Sequence, residues 1–442
     1  MSISFKQGLL QARSYIAMII GLILASGLVI TLELWDIDFA VNKIAASAYH
    51  DDIPVPQPAP LSSEEREWAK IAWRYFENNR QPETGLVNSV QDYPATTLWD
   101  TASYLMALVS AYRLEIIAHH TFDDRLSQAL LSLERLPLFA DQLPNKSYNT
   151  KTLAMTDYAN NPSPEGIGWS AIDIARLLVP LHIIVWNYPE YAVEVKKILQ
   201  RWQWSALMKN GQLIGAVVRN GQTEHVQEGR LGYEQYAARA AALLGLDVSI
   251  AENAEAYLEF HRQHHIDVPA DRRDAKSFDA LNYVVSEPYI LDGLEFGGGR
   301  VMGEFAWRVY RVQEEQHKAT GIPTAVSEDH IDQAPYFVYN TVFVNGEFWK
   351  AVTDDGKDAE PFKTLSTKAV FGWHSLYRTD YTNLLLDNVK NLNDPERGWY
   401  AGIYEKNGKP NQVLTANTNG IVLESLAAMQ FGRLTGLTGG AE

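Results

Sequence analysis

The chain contains no cysteine. That absence excludes disulfides, thiolate zinc sites, iron–sulfur clusters, cysteine nucleophiles and a lipid-modified N-terminal cysteine. It suits the periplasm, where a stray thiol risks mispairing, although cytosolic chains without cysteine are common too. Basic residues are also in deficit: 38 Lys and Arg stand against 54 Asp and Glu, a net charge of −16. Binding to a phosphate backbone works through a positive footprint that releases counterions, so nucleic acid is not an expected partner. Neutral substrates fit such a surface best. The chain has no GxGxxG after a strand, no P-loop ending in Lys-Ser or Lys-Thr, no HExxH and no GxSxG. Dinucleotide, nucleotide, zincin and nucleophile-elbow chemistries therefore lose their usual signatures. The pairs His119-His120 and His264-His265 are read at helix ends. Adjacent residues diverge around a helix, so neither pair is expected to close on one metal. Low-complexity stretches and exact repeats are missing as well.

Against these absences stands one long apolar run. From Ser14 to Leu32 the chain reads SYIAMIIGLILASGLVITL without a charge. At about 1.5 Å of rise per residue it nearly spans a hydrocarbon core of roughly 30 Å. Lys6 and Arg13 precede it, and Glu33, Asp36 and Asp38 follow. The positive-inside rule then puts residues 1–13 in the cytoplasm, a transmembrane signal anchor at 14–33 and the rest in the periplasm, held at the inner membrane. Cleavage as a signal peptide is disfavoured, because the small-x-small site Ala46-Ser47-Ala48 lies well beyond the run. Residues 34–60 form a linker ending in the proline-rich DDIPVPQPAP, which favours stiff extended chain.

The remainder, 61–442, reads as one all-α domain. Ser62 and Glu65 form a capping box. Apolar stripes at helical spacing predict helices over 62–79, 97–117, 121–136, 168–187, 190–207, 232–245, 249–264, 300–319, 367–378, 380–391 and 418–434, with a short twelfth near 327–334. The segments 97–117 and 168–187 are apolar almost all round and should be buried on several faces, while 62–79 and 190–207 carry more charge. Alternating inner and outer helices describe an (α/α)6 toroid. Strand signals are confined to inserted hairpins across Asn220-Gly221, Asn345-Gly346 and Asn407-Gly408.

What chemistry remains is carried by carboxylates and aromatics: 12 Trp, 22 Tyr and 15 Phe, many in polar loops. Sugar C–H faces stack on rings while hydroxyls bond acids and amides. Glycosidic cleavage needs two carboxyls, one protonated to assist the leaving oxygen and one ionised. Acids in such settings are Asp100 after Trp99, Asp173 in GWSAIDIARLL, Glu234 between Tyr233 and Tyr236, Glu287, Asp292 and Glu295 in SEPYILDGLEFG, Glu328 with Asp329, and Glu405. Each also has a plain structural reading. Asp100 would serve a helix N-terminus. Asp173 would pair with Arg176 or another buried Arg, and Glu234 with Arg239 or Arg230. Glu328 would cap a loop, and Glu405 would edge a hairpin. Trp99, Trp169, Trp373 and Trp399 are candidate sugar platforms, and Asn417 and Asn419 candidate hydroxyl partners.

TLWDTASYL, GWSAIDIARLL, LGYEQYAARAAALLG, SEPYILDGLEFG, STKAVFGWHSLY and LTANTNGIVLESL together resemble the bacterial family labelled domain of unknown function 3131. That family is similar to glucoamylase-like domains, including β-1,2-glucanases and the domain attached to cyclic β-1,2-glucan synthases. The resemblance implies an (α/α)6 toroid that acts on β-glucan without a metal or other cofactor. It also implies a proton donor at Glu234, with Gly232-Tyr233 before it. The second acid is left between Asp173 and Glu328, with Asp100 behind them. The expectation is a tethered glycoside hydrolase or transglycosylase. Its competitor is a non-catalytic glycan-binding or scaffold protein in an envelope polysaccharide assembly. A polysaccharide lyase is a weaker third, since it would want a basic cleft.

Overall fold

The computed structural model describes residues 25–27, 53–278 and 280–436. The expected cytoplasmic segment, most of the apolar run 14–33 and the linker as far as 52 lie outside the described residues. From Asp52 onward the chain forms one unit.

Within that unit, elements alternate between an outer and an inner layer. The expected capping box is present: Ser62 Oγ accepts from the Glu65 backbone and Glu65 reaches back to Ser62, starting outer helix α1 (Ser63–Asn78). Then come inner α2 (Leu98–Arg113), outer α3 (His119–Arg135), inner α4 (Ala171–Asn187), outer α5 (Ala192–Gln200) and inner α6 (Tyr233–Ala242). Inner α7 (Glu287–Leu291) runs on as one π turn, Asp292–Phe296. Outer α8 (Arg300–Thr320), inner α9 (Thr367–Tyr377), outer α10 (Asp380–Val389) and inner α11 (Ala416–Phe431) complete the series. α2 packs on α4, α4 on α6, α6 on α7, α7 on α9, α9 on α11, and α11 back on α2. The inner layer is therefore a closed ring of six.

The inner helices are apolar on several faces because they have neighbours on several faces. In α2 all residues from Asp100 to Ala111 are buried, and α11 is buried from Thr418 to Ala427. Close approach is set by small residues. A methyl on Gly372 of α9 would run into the Ile290 side chain of α7. Among the described residues no single helix is long and apolar enough to cross a membrane. The most apolar stretch, α4, owes its composition to this ring wall.

Two expected helices are absent. In place of 249–264 the chain makes a short 3₁₀ turn, Glu255–Tyr257, and then a hairpin. Six outer slots are thus filled by five helices and one hairpin, which packs against α8. His264 and His265 are not at a helix end but form the hairpin's two-residue turn, with φ of 49° and 66°. Positive φ at both central positions matches the right-handed twist of the flanking strands. Near 327–334 there is a strand rather than a helix.

The other strands form small sheets around the ring. The Asn-Gly signals all mark turns. Asn220-Gly221 joins β1 (Gln212–Arg219) to β2 (Gln222–Gln227), and the histidine turn joins β3 (Leu258–Gln263) to β4 (Ile266–Asp271). β5 (Glu328–His330), β6 (Phe337–Asn340) and β7 (Ala351–Val352) form a three-stranded antiparallel sheet, and Asn345-Gly346 turns a hairpin between β6 and β7. β8 (Thr364–Ser366), β9 (Gly402–Tyr404) and β10 (Pro410–Asn411) form another, with Asn407-Gly408 between β9 and β10.

Candidate functional site

Every inner helix brings a polar or aromatic first turn to the same end of the ring. The local reason is capping. Thr97 accepts from Asp100 N, Ser170 from Asp173 N and Thr415 from Thr418 N, so α2, α4 and α11 begin at fixed residues. Acids in the first turn also face the positive end of the helix dipole.

Glu287, which opens α7, is where these ends meet. The Trp99 indole N–H of α2 donates to Glu287 Oε1 at 2.9 Å. The Asn417 amide of α11 donates to its two oxygens at 3.0 and 2.9 Å. The Lys368 ammonium of α9 forms an ion pair with Oε2. Burial alone would lower the Lys368 pKa, but Glu287, Asp329 and Glu328 outweigh it and hold the ammonium charged. Trp99 is half-buried, edge-on to Tyr233 at 5.4 Å and to Tyr236 at 6.1 Å.

Beneath Trp99, with its guanidinium carbon 4.7 Å from the indole centroid, lies Arg176. It is fully buried and donates to Glu295 Oε1 at 2.9 Å, Glu424 Oε1 at 3.1 Å and Tyr236 Oη at 2.9 Å. Tyr236 in turn donates to Glu295 at 2.7 Å. Burial raises both Glu295 and Glu424. One guanidinium thus serves two carboxyls in the floor of the ring.

Above the floor, two groups of acids remain without full cationic partners. Asp173 takes only the Ser170 hydroxyl at 3.0 Å on Oδ1. Burial, then the proximity of Glu228, pushes its pKa up to about 7. Glu228 is itself raised by burial; Lys146 and the Ala171 N–H, at 2.5 Å, oppose the rise. Asp173 does not pair with Arg176, whose guanidinium is consumed by the floor. The second group is on β5. Glu328 and Asp329 are each pushed up to about 7 by burial, partly offset by Lys368, which lies 3.5 Å from Asp329. Tyr339 of β6 stands opposite Glu328 and stacks on Tyr283 at 4.3 Å. Tyr158, 63% exposed, has its hydroxyl pKa raised by the protein around it and by Asp173 and Glu228. Acids and tyrosines therefore share one hollow at the ring's mouth. Among the described residues no group of three potential metal ligands is clustered.

Glu234 opens α6 beside Trp99's neighbour Tyr233, but its carboxylate is held. Arg273 forms an ion pair with it, and the Gln227 amide donates to it at 2.8 Å. Arg273 comes from the loop after β4 and also binds Asp271. Burial raises Glu234, and Arg273 counters. Neither arginine expected beside it is its hydrogen-bonding partner: Arg239 grips both oxygens of Asp292, at 2.6 and 2.8 Å, and Arg230 binds Gln227. Asp100 accepts from Ser89 at 2.6 Å and Thr97 at 2.8 Å, which is the capping arrangement.

Several expected contact residues do not reach the hollow. Trp169, Trp373 and Trp399 are fully buried, with their indole N–H groups bound to Ile214 O, Ser286 Oγ and Trp68 O. They are core, and a sugar cannot stack on them. Asn419 is also fully buried and latches the backbone of Trp399. Asp292 is sealed against Arg239. Glu405 lines a separate cavity with Lys363. Conversely, Glu228, Lys368, Tyr158, Tyr283 and Tyr339 belong to the hollow and were not singled out from the sequence. Only Lys368 carried a readable signal, being a lysine in the otherwise apolar opening of an inner helix.

The ring recurs in solved structures. An endo-β-1,2-glucanase of Chitinophaga pinensis, in complex with sophorotriose and glucose, superposes with a TM-score of 0.61 at 12% identity, over 85% of this chain and 94% of that one. An endo-β-1,2-glucanase of Talaromyces funiculosus with sophorose gives 0.58 at 10% identity, over 85% of each. A candidate glucoamylase of Bacteroides uniformis gives 0.62 at 10%, over 85% and 93%. At such identities the likeness establishes a shared (α/α) fold. No curated protein matches the chain in sequence. The family resemblance carried by the inner-helix segments is shown directly: residues 67–432 match the model of the family described as protein of unknown function (DUF3131), and the chain belongs to that family.

Proposed function

We propose that the hollow is the active site of a glycoside hydrolase or transglycosylase acting on a neutral β-glucan. One observation carries the reading: Asp173, beside Glu228, and Glu328 are protonatable near neutrality and stand with Tyr158, Tyr283 and Tyr339 at the ring's mouth. A carboxyl with a pKa near 7 can both donate and accept a proton at the working pH. Asp173 has a carboxyl oxygen free of protein donors and acts as the acid on the leaving oxygen. Glu328, from the β5 sheet, acts as the base on water or on an acceptor hydroxyl. Glu287, fixed by Trp99, Asn417 and Lys368, holds sugar hydroxyls. Glu234 is the rival donor, and it could serve only by leaving Arg273.

The substrate class draws support from the fold-mates named for β-1,2-glucan and seen with sophorose or sophorotriose. The charge of −16 also disfavours an acidic glycan. In this proposal the run 14–33 anchors the ring at the inner membrane, on the periplasmic side. A second reading, a non-catalytic glycan-binding member of an envelope polysaccharide assembly, draws on Glu287 and Glu234 both being neutralised by buried cations.

The test is incubation of the full-length protein with linear and cyclic β-glucans, scoring new reducing ends and chain lengths. Asp173→Asn and Glu328→Gln should each lower turnover about 10²–10⁴-fold. Glu234→Gln should lower it far less. If Glu234→Gln alone abolishes turnover, the acid assignment moves to Glu234. If binding persists with no turnover on any glucan, the scaffold reading replaces the enzyme.

A further inference from the structure

A second polar cavity lies behind the sheet that carries Glu328. Successive residues of a strand point to opposite faces. On β6, Tyr339 faces the hollow and stacks on Tyr283, so Asn340 points away from it, toward β8, where its amide donates to Thr364 O at 2.7 Å. Asn340 lines a half-open cavity of about 120 Å³. Gln316 of α8, Thr341, Trp349, Lys363 and Glu405 share its wall. At about 10–15 Å³ for each water, this space takes several waters or a single sugar ring.

Two of the lining groups make no side-chain hydrogen bond among the described residues. The Trp349 indole N–H is shielded from solvent and has no acceptor among the described residues. Its backbone sits at φ +59°, which a bulky residue adopts only when its surroundings impose it. Glu405 is tied by its backbone N–H to Lys363 O at 2.9 Å, while its carboxylate takes no hydrogen bond from the described residues. Lys363 is paired with Glu360 at 2.7 Å and its charge also bears on Glu405, so the cavity has no spare cation to attract a phosphate or carboxylate. An unpartnered N–H, an unpartnered acceptor, amides and an indole beside one small space suit a neutral, hydroxyl-rich ring.

We infer that this cavity is a second sugar site, which holds one ring of a neutral glycan strand on the opposite face of the sheet from the catalytic hollow. The choice of a glucan as its ligand rests on the function proposed above; the site itself does not need turnover. Sophorose is the probe, titrated calorimetrically into the full-length protein. Wild type should show two binding events. Trp349→Phe keeps the ring but removes the N–H, and Glu405→Gln keeps the shape but removes the charge. Each should weaken the second event about tenfold, the scale of one hydrogen bond, and leave glucan turnover unchanged. Glu405-sensitive binding without hydrolysis of any glucan would uphold the site and defeat the hydrolase. Hydrolysis with a single event that neither variant alters would defeat the site and leave the hydrolase standing.

Discussion

The floor of the ring and its mouth are built from the same residue types to opposite ends. In the floor, Arg176 binds Glu295, Glu424 and Tyr236 at once, Glu424 Oε2 and Arg176 Nε are left without a hydrogen-bond partner among the described residues, and no part of the group is exposed. At the mouth, Lys368 is shared by Glu287, Glu328 and Asp329, and Asp173 meets another acid, Glu228, with no cation in hydrogen-bond contact among the described residues. A buried carboxylate that is fully paired stiffens a fold, and its removal strands a charge. An underpaired one keeps a proton near neutrality and can exchange it. Chemistry is therefore to be sought where incomplete pairing meets access from outside, as at Asp173 and Glu228, which are only half-buried.

The comparison breaks most visibly at Arg176. Arg176→Met leaves two carboxyls without a counterion and should cost about 3–5 kcal/mol, read as a large fall in the denaturation midpoint. Asp173→Asn should do the reverse. Its folded pKa lies above its unfolded value, so its stabilising contribution is present in acid and is lost as pH rises through about 7. Above that pH the Asn variant should melt at or above the wild-type temperature. A fall there as large as that of Arg176→Met would place Asp173 with the floor.

A smaller effect sharpens the contrast. With Asp173 and Glu328 both near 7, kcat/KM on a β-glucan should fall on either side of neutrality: below it as the base takes a proton, above it as the acid loses one. A rate flat from about pH 5 to 9 would rule out both assignments.

How much of this was legible in the sequence depended on range. Periodicity and caps reveal the ring, because the apolar faces of α2 and α4 and the Ser62–Glu65 box are local. The hairpin at 258–271 stayed hidden because its turn is His264-His265, without the Asn-Gly that marks the others. α7 was concealed by Pro288 and Gly293 and by three acids, one opening the helix and two in the π turn that follows, although it is an inner wall. The floor could not be read at all. Arg176 looks like a helical neighbour of Asp173, while its partners lie 119 and 248 residues away. The same holds for Glu234 and Arg273, and for indoles whose burial only the packed ring decides.

Carboxyl carbon NMR of Asp173 and Glu328 in the full-length protein, titrated with pH and assigned with Asp173→Asn and Glu328→Gln, tests the central claim most directly. Both signals should move with midpoints near 7. Midpoints at about 4, the ordinary carboxylate range, would show that the mouth has no proton to give near neutrality.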